Sequence, residues 1–315
     1  MSSTLVIYNP IAGRGRVQVQ WPQVEQTLKT SDIDFEAVAT RAPLDAMRLA
    51  REAPNNYSQV IGVGGDGTIH EIVNGLLQAS GENETIPLGL IPLGNGDDFA
   101  KVIPPEASIG GKPFDWRAAV QKIVRGQIQS IDAGRIVGDH LRPGFGDGVH
   151  YFINGMDVGF GALTAQNFAT TPKFLKGLSA YLVAILKTLI DYPTLHLRIQ
   201  LDDLPPFDQS TTMTVITNGR CFGNGFWVCP NAQVDDGLFD LMVAQSVSRF
   251  TILRMIPKLM NGTHIHEPIV RMYRARRVVI ESDAPLVVET DGEIPFLNTH
   301  RLALDILPKK VRVIV

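Results

Sequence analysis

Residues 60–101 read VIGVGGDGTIHEIVNGLLQASGENETIPLGLIPLGNGDDFAK. Val60-Ile61-Gly62-Val63 is apolar, β-branched and too short for a helix, which predicts a buried strand. It stops at Gly64-Gly65-Asp66-Gly67-Thr68. Ile69, Ile72, Val73, Leu76 and Leu77 then recur at i, i+3, i+4 spacing and predict an amphipathic helix. The pattern repeats. Residues 86–93 read as a strand, Gly94-Asn95-Gly96-Asp97-Asp98 as a loop, and Phe99-Ala100 as the start of another helix. Two strand–glycine loop–helix units therefore stand side by side.

Upstream the alternation continues. Leu5–Tyr8 reads as a strand ending in Asn9-Pro10-Ile11-Ala12-Gly13-Arg14-Gly15-Arg16. Trp21–Leu28 reads as a helix with Pro22 in its first turn, Phe35–Ala39 as a strand followed by Thr40, and Leu44–Arg51 as a helix. Trp116–Arg125 is a further helix with Gly126 as its stop. Strand alternating with helix implies a doubly wound parallel sheet covered on both faces, whose ligands bind at the carboxyl ends of the strands. The pattern changes near residues 126–132. Short strands follow: Ser130–Val137, His150–Val158, Thr194–Leu201, Thr211–Asn218, Leu238–Ala244, Arg277–Ser282, Leu286–Glu289 and Leu302–Val315. Two helical patterns interrupt them, Pro172–Ile190 and Ser248–Leu259. This predicts an antiparallel, β-sandwich-like second domain. The domains expected are 1–130 and 131–315.

Glycines let backbone N–H groups approach a polyanion, and a helix N-terminus adds a favourable dipole, so the glycine loops suit phosphate. Asp66, Asp97 and Asp98 would repel phosphate unless a hard cation such as Mg²⁺ lies between them. The plain structural reading is that these residues make tight βα turns and helix caps.

The run Gly64–Thr68 followed by Ile69-His70-Glu71-Ile72-Val73-Asn74-Gly75 resembles the nucleotide-binding segment of the diacylglycerol kinase catalytic-domain family, which includes soluble bacterial lipid kinases and sphingosine and ceramide kinases. The Asn9–Gly13 loop resembles that family's N-P-x-[AS]-G. The resemblance implies ATP as phosphoryl donor, bound by Asn9, Pro10, Ala12, Gly13, Thr40, Gly64, Gly65, Asp66, Gly67, Thr68 and Asn95, with Asp66 and Asp98 organising Mg²⁺.

Pro230-Asn231-Ala232-Gln233-Val234-Asp235-Asp236-Gly237-Leu238-Phe239-Asp240 is by itself a β-turn or a hard-cation loop. It resembles the family's P-x-A-x-x-D-D-G-x-L-D segment, which implies a structural Mg²⁺ on Asp236 and the carbonyls of Gln233 and Leu238. Glu289-Thr290-Asp291-Gly292-Glu293 places two acids either side of a glycine. Phosphoryl transfer to an alcohol needs a carboxylate near the attacking hydroxyl. The resemblance to the family's D-G-E implies a catalytic pair, with Glu293 as proton acceptor and Asp291 in the metal and water network. Asn154–Gly161, Asn218-Gly219 and Phe222–Gly225 resemble cleft-lining segments and are expected to serve turns and packing. Residues 138–148 read as a connecting loop.

Composition narrows the classes. The chain has 315 residues, 44% apolar and 19% charged, with a formal charge of −3, which gives no support for nucleic-acid binding. Cys221 and Cys229 lack zinc-site or disulfide-framework spacing. No signal peptide is visible and the longest apolar stretch, Leu178–Ile190, is too short to span a membrane. The expected setting is cytoplasmic, meeting a lipid substrate at the membrane surface. A homodimer is one assembly the resemblance implies. Phe174–Tyr192 reads as a helix packed on a sheet or a lipid-touching surface, and His264 and His266 as surface residues without further metal ligands at useful spacing.

One departure stands out. The family's second loop reads G-T-x-N-D-F-A; here Asn95 replaces the threonine and Asp97 the asparagine. Three readings follow: an ATP- and Mg²⁺-dependent lipid kinase, an NAD kinase sharing G-G-D-G-T, or a catalytically silent lipid- or nucleotide-binding scaffold.

Overall fold

The computed structural model describes residues 3–103, 115–146, 148–171, 177–190, 192–223 and 225–315. They form two compact units, Met1–Ala133 with Pro308–Val315, and Gly134–Leu307.

The first unit runs β1 (Thr4–Tyr8), α1 (Ala12–Thr30), β2 (Phe35–Ala39), α2 (Asp45–Glu52), β3 (Gln59–Gly64), α3 (Asp66–Ser80), β4 (Leu88–Pro92), α4 (Asp98–Val102), α5 (Trp116–Arg125) and the start of β5 (Ile128–Gly138). β1 lies between β2 and β3 with Val6 opposite Ala37 and Ile61, and β3 pairs with β4, all parallel. The chain's last strand, Glu293–Ile314, ends beside β4, with Val313 opposite Leu88. Val6, Ile61 and Val63 are fully buried because helices cover both faces. On one face α1 and α5 pack Val17, Val24, Val120 and Ile123 against these strands. On the other, Gly75 of α3 meets α2 so closely that a Cβ would lie 2.2 Å from the Met47 carbonyl oxygen. Each buried Ile or Leu here contributes about 1.5–3 kcal/mol.

The first helix is longer than its sequence pattern predicts. Regular winding begins after Gly13, Arg14 and Gly15, all at positive φ, and Pro22 lies inside the helix. Pro22 and Gln18 are exposed, so the Gln18 carbonyl that the missing N–H leaves free lies where solvent can reach it. Trp21 stacks on Tyr8 at 4.0 Å.

The second unit is antiparallel. It continues β5, then β6 (Val149–Phe152), β7 (Gly155–Gly159), α6 (Phe160–Ala169), α7 (Gly177–Ile190), β8 (Leu195–Leu201), β9 (Phe207–Thr217), β10 (Phe239–Gln245), α8 (Arg249–Met260), β11 (Val270–Ala275), β12 (Arg277–Thr290) and β13, the strand Glu293–Ile314. β7 and β8 share one slot: both pair with β9 and with β12 at different heights. The curled sheet encloses Phe152, stacked on Phe239 at 5.7 Å, with Phe296, Val288 and Leu241. Its other face carries α6, α7 and α8.

Several elements differ from expectation. The strand foreseen at His150–Val158 divides at Ile153–Asn154, where a turn interrupts it. Two strands foreseen at Arg277–Ser282 and Leu286–Glu289 are one, with a register shift between Glu281 and Leu286. α6 and β11 were not foreseen. Residues 172–176 of the expected helix Pro172–Ile190, Asp147 of the connecting loop, Asp191 of Phe174–Tyr192 and Asn224 of Phe222–Gly225 lie outside the described residues.

Candidate active site

In the first unit the chain order reverses between β1 and β3, the crevice where open α/β sheets take ligands. Three loops meet there. Asn9 N–H donates to the Val63 carbonyl at 3.0 Å, and its side-chain amide donates to Thr68 Oγ1 at 3.0 Å. Leu93 N–H donates to the Gly64 carbonyl at 2.8 Å. A Cβ on Gly13, whose φ is +59°, would lie 2.2 Å from the Leu93 carbonyl oxygen. Gly65 and Gly94 stand back to back: a Cβ on Gly94 would lie 2.4 Å from the Gly65 Cα. The glycines are therefore required for loop-to-loop packing, which brings the three loops close enough to share one polyanion. α3 begins at Asp66 with no side-chain cap, leaving its N-terminal amides for a ligand. Thr40 N–H bonds to the Tyr8 carbonyl at 2.9 Å, at the end of β1. Pro10 and Ala12 hold the first loop: Ala12 N–H bonds to the Asn9 carbonyl and Gln18 N–H to that of Pro10. Asn95 is exposed at the tip of the third loop.

Three carboxylates crowd this point. Asp66 Oδ1 accepts from Phe99 N–H at 3.2 Å, so it caps α4. Burial, then Asp98 and Asp97, push its carboxyl up to about 8. Burial likewise raises Asp97 to about 6, against the Gly94 N–H, Lys101 and Arg16. Asp98 is paired with Lys101 at 2.7 Å. Such a group ionises together most readily around a dication. Among the described residues no three acidic, histidine or cysteine side chains converge to hold a metal. A cation here would take most ligands from water and phosphate oxygens, which is how Mg²⁺ is commonly held.

In the second unit Asp291, at φ 49°, occupies the turn between β12 and β13. Its carboxylate accepts from Ile153 N–H at 2.9 Å, Asn154 N–H at 3.0 Å and Gly155 N–H at 2.9 Å. This explains the break between β6 and β7. From the other side, Asn218 N–H and Gly219 N–H donate to the Asn154 carbonyl at 2.9 Å each. Glu293 is half-buried, beyond Gly292 at φ 96°. The structure thus gives the two acids of the D-G-E run unlike surroundings.

Sequence reading missed Asp157 and Glu289. They are directly opposed across β7 and β12 and both buried. Burial, then Asp157, raises Glu289 well above the usual carboxylate range. Burial also pushes Asp157 up to about 8, against the N–H groups of Ala162, Val158 and Gly161. Asp157 Oδ1 is buried without a hydrogen-bond partner, which suits a neutral carboxyl better than an ionised one. The one available signal was an acid inside each apolar run; only the register shows that they face each other.

Because the folded pKa of Asp157 lies above its unfolded value of 3.8, folding takes up a proton between about pH 4 and 8. The associated stability is full below that window and lost as pH rises through 8. Asp157→Asn is expected to flatten the fall of unfolding free energy between pH 5 and 7 by about 1.4 kcal/mol per pH unit. Urea titrations at three pH values check this, and parallel curves for the two proteins would contradict the assignment.

The expected metal loop has a different partner. Asp236 Oδ1 accepts from Leu238 N–H at 3.1 Å, and Oδ2 is paired with Arg274. Arg274 also lies 3.6 Å from Asp240, whose carboxyl burial raises to about 6. Gln233 is exposed. A guanidinium therefore supplies positive charge beside Asp236.

Between the second unit's sheet and its helices lies an apolar cavity of about 810 Å³ counting its open mouth, lined by Phe160, Tyr181, Ile185, Met242, Met255 and Leu259 among others. His264 also lines it. Contrary to expectation it is no surface residue: it is fully buried, with Nε2 bonded to the Val228 carbonyl at 2.9 Å. A carbonyl only accepts, so Nε2 carries the proton.

Residues 3–136 match the family model of the diacylglycerol kinase catalytic domain, and residues 155–315 match that of the YegS C-terminal NAD kinase beta sandwich-like domain. A diacylglycerol kinase of Bacillus subtilis (strain 168) is 29% identical, covering 98% of this chain and 98% of its own. One from Mycobacterium tuberculosis (strain ATCC 25618 / H37Rv) is 30% identical, covering 90% and 86%. A crystal structure of a diacylglycerol kinase from Bacillus anthracis str. Sterne covers 99% of this chain and 96% of its own with a TM-score of 0.71 at 21% identity, a likeness of fold. With an α/β unit that carries three interlocked glycine loops and a second, β-rich unit, the chain belongs to the diacylglycerol kinase catalytic-domain family of lipid kinases.

Proposed function

We propose that this protein transfers the γ-phosphoryl group of ATP to the hydroxyl of diacylglycerol or a closely related lipid alcohol. The observation that carries this reading is the meeting of three glycine loops at the strand switch point, locked by the Asn9–Thr68 bond. Asn9, Pro10, Ala12, Gly13, Thr40, Gly64–Thr68 and Asn95 hold the phosphates. Asp66 and Asp98 would hold Mg²⁺, which when bound neutralises charge on the phosphate oxygens. Gln233, Asp236 and Leu238 are proposed as a second, structural cation site, with Arg274 as the competing charge. The apolar cavity of the second unit, narrow inside and open at its mouth, takes lipid hydrocarbon. Glu293 accepts the hydroxyl proton, and Asp291 fixes the turn that presents it. Catalysis comes mainly from positioning and charge placement.

The test is transfer of labelled γ-phosphate from ATP to a lipid panel in mixed micelles, with Mg²⁺ and with excess chelator. A labelled lipid that disappears with chelator supports the reading. Label on NAD instead would replace it with an NAD kinase. ATP binding without any product would favour a silent scaffold, a reading that Asn95 and Asp97 motivate.

Asp66→Asn separates two roles. Asparagine can still accept from Phe99 N–H and keep the cap, but it lacks the charge. Turnover is expected to fall about a hundredfold, while stability near pH 7 is kept or raised, because the buried Asp66 carboxyl resists ionisation and asparagine carries no such cost. Asp66→Ala should lose the cap as well, costing a further ~0.5–2 kcal/mol of stability. Full activity in Asp66→Asn would remove Asp66 from the phosphate machinery.

A further inference from the structure

We propose that Arg142 is a positioning residue for the transfer, holding the β-bulge that aims Glu293. The bulge lies in the ladder between β12 and β13. Val288 faces Phe296 and Thr290 faces Glu293, with a register shift between them. Ile294 and Pro295 therefore stand opposite the single residue Glu289. A bulge bends its strand, re-aims the side chains beside it and leaves ladder groups to find other partners. The carbonyls of both bulged residues turn to one residue outside the ladder. Arg142 N–H donates to the Pro295 carbonyl at 2.8 Å, and Arg142 Nη1 donates to the Ile294 carbonyl at 2.8 Å. The residue just before this pair is Glu293.

Arg142 belongs to the stretch expected to be a plain connection between β5 and β6. The first part of that stretch instead runs antiparallel along β13. The Asp139 carboxylate accepts from Thr299 Oγ1 at 2.7 Å and from the N–H groups of His300 and Arg301 at 3.1 Å each. Leu141 bridges to Phe296. The Arg142 guanidinium then covers the Phe145 ring at 5.4 Å, and the Phe145 carbonyl accepts from His150 Nδ1 at 3.1 Å. That tautomer leaves Nε2 to accept from the Thr290 hydroxyl, also at 3.1 Å. One stretch of chain therefore grips the Asp291–Glu293 turn on both flanks. Buried Glu289, opposite the bulge, closes the turn from within by accepting from Gly292 N–H. Arg142 itself is exposed. Removing its side chain releases only the Ile294 carbonyl, and surface substitutions of this kind seldom change stability appreciably. A small misplacement of a catalytic group is costly to rate all the same. The inference rests on the reading that Glu293 is the proton acceptor.

The test is steady-state kinetics of the full chain with ATP, Mg²⁺ and a water-soluble short-chain diacylglycerol, beside urea unfolding. Arg142→Ala should lower kcat by roughly 10- to 100-fold, with KM for either substrate and the unfolding midpoint unchanged. Arg142→Lys, which keeps a donor for the Ile294 carbonyl, should keep most of kcat. Guanidinium chloride far below denaturing concentration should restore part of the activity of Arg142→Ala. In a Glu293→Gln background, Arg142→Ala should cost nothing further, because both losses act through one carboxylate. Full kcat in Arg142→Ala, beside an impaired Glu293→Gln protein, overturns this inference alone. So does a raised KM at constant kcat, which would make Arg142 a binding residue. A lowered unfolding midpoint without guanidinium rescue, or losses that multiply in the double variant, overturns it as well. A wild type that phosphorylates no acceptor, or a Glu293→Gln protein with normal kcat, removes the reading on which the inference rests, and the inference with it.

Discussion

Glu293→Gln is expected to lower kcat by roughly 10²- to 10⁴-fold, the usual range for removing a general base, and to leave the unfolding curve where it was. Glu293 is half-buried at the first position of β13. Glutamine keeps its length and shape and loses only the ability to take a proton. Because the loss falls on the chemical step, KM for the lipid should hold while kcat drops. Steady-state kinetics with a soluble short-chain acceptor, beside urea unfolding of the same preparation, would show both. A folded Glu293→Gln protein with normal kcat would leave the D-G-E run without its proton acceptor.

Asp291→Ala should fail for a different reason. Three buried N–H groups, those of Ile153, Asn154 and Gly155, lose their acceptor together. At ~1–3 kcal/mol for each unsatisfied group, the loss is comparable with the whole stability of a typical domain, about 5–15 kcal/mol. The expected result is a second unit that is unfolded or nearly so at room temperature, read as an early urea transition. Asp291→Asn should be intermediate. Its oxygen can keep the bonds from Asn154 and Gly155, while its amide turns a donor toward Ile153 N–H. A stability order of wild type, Asn, Ala supports the anchoring role. An alanine variant as stable as the wild type but inactive would return Asp291 to the chemistry itself.

The contrast between these neighbours marks where sequence reading stopped. Asp291 and Glu293 look alike on the page, two acids around a glycine. Their difference lies in a turn more than 130 residues earlier in the chain, whose N–H groups close on one carboxylate and not the other. The first unit was far more legible. Its inner strands β1, β3 and β4 are mostly apolar runs because both faces are covered, and each is followed by a loop containing glycine that local rules recognise. The glycines were read as places where backbone N–H groups approach a polyanion; in the fold, Gly65 packs against Gly94. In the second unit the signals were weaker. β11 reads Val-Arg-Met-Tyr-Arg-Ala, whose two exposed arginines stand three residues apart, so the sequence lacks the period-two alternation that marks a strand. α6 starts at Phe160 after a glycine at φ 112°, without a side-chain cap, so no start signal announces it. His264 was taken for a surface residue because nothing local tells a loop histidine that the Val228 carbonyl awaits it.

The end of β13 has a consequence for how the protein is made. Val311 and Val313 are completely buried in the first unit's sheet, the Lys310 carbonyl accepts from Thr85 N–H at 3.0 Å, and Lys309 N–H reaches Asp132 at 2.7 Å. On the ribosome the helices and strands around the glycine loops emerge first, but the strand that closes their sheet emerges only after the entire second unit has been translated. Vectorial synthesis therefore cannot finish the first unit on its own. Until that strand has emerged, the β4 edge stays open, a bare strand edge of the kind that recruits chaperones or other nascent chains.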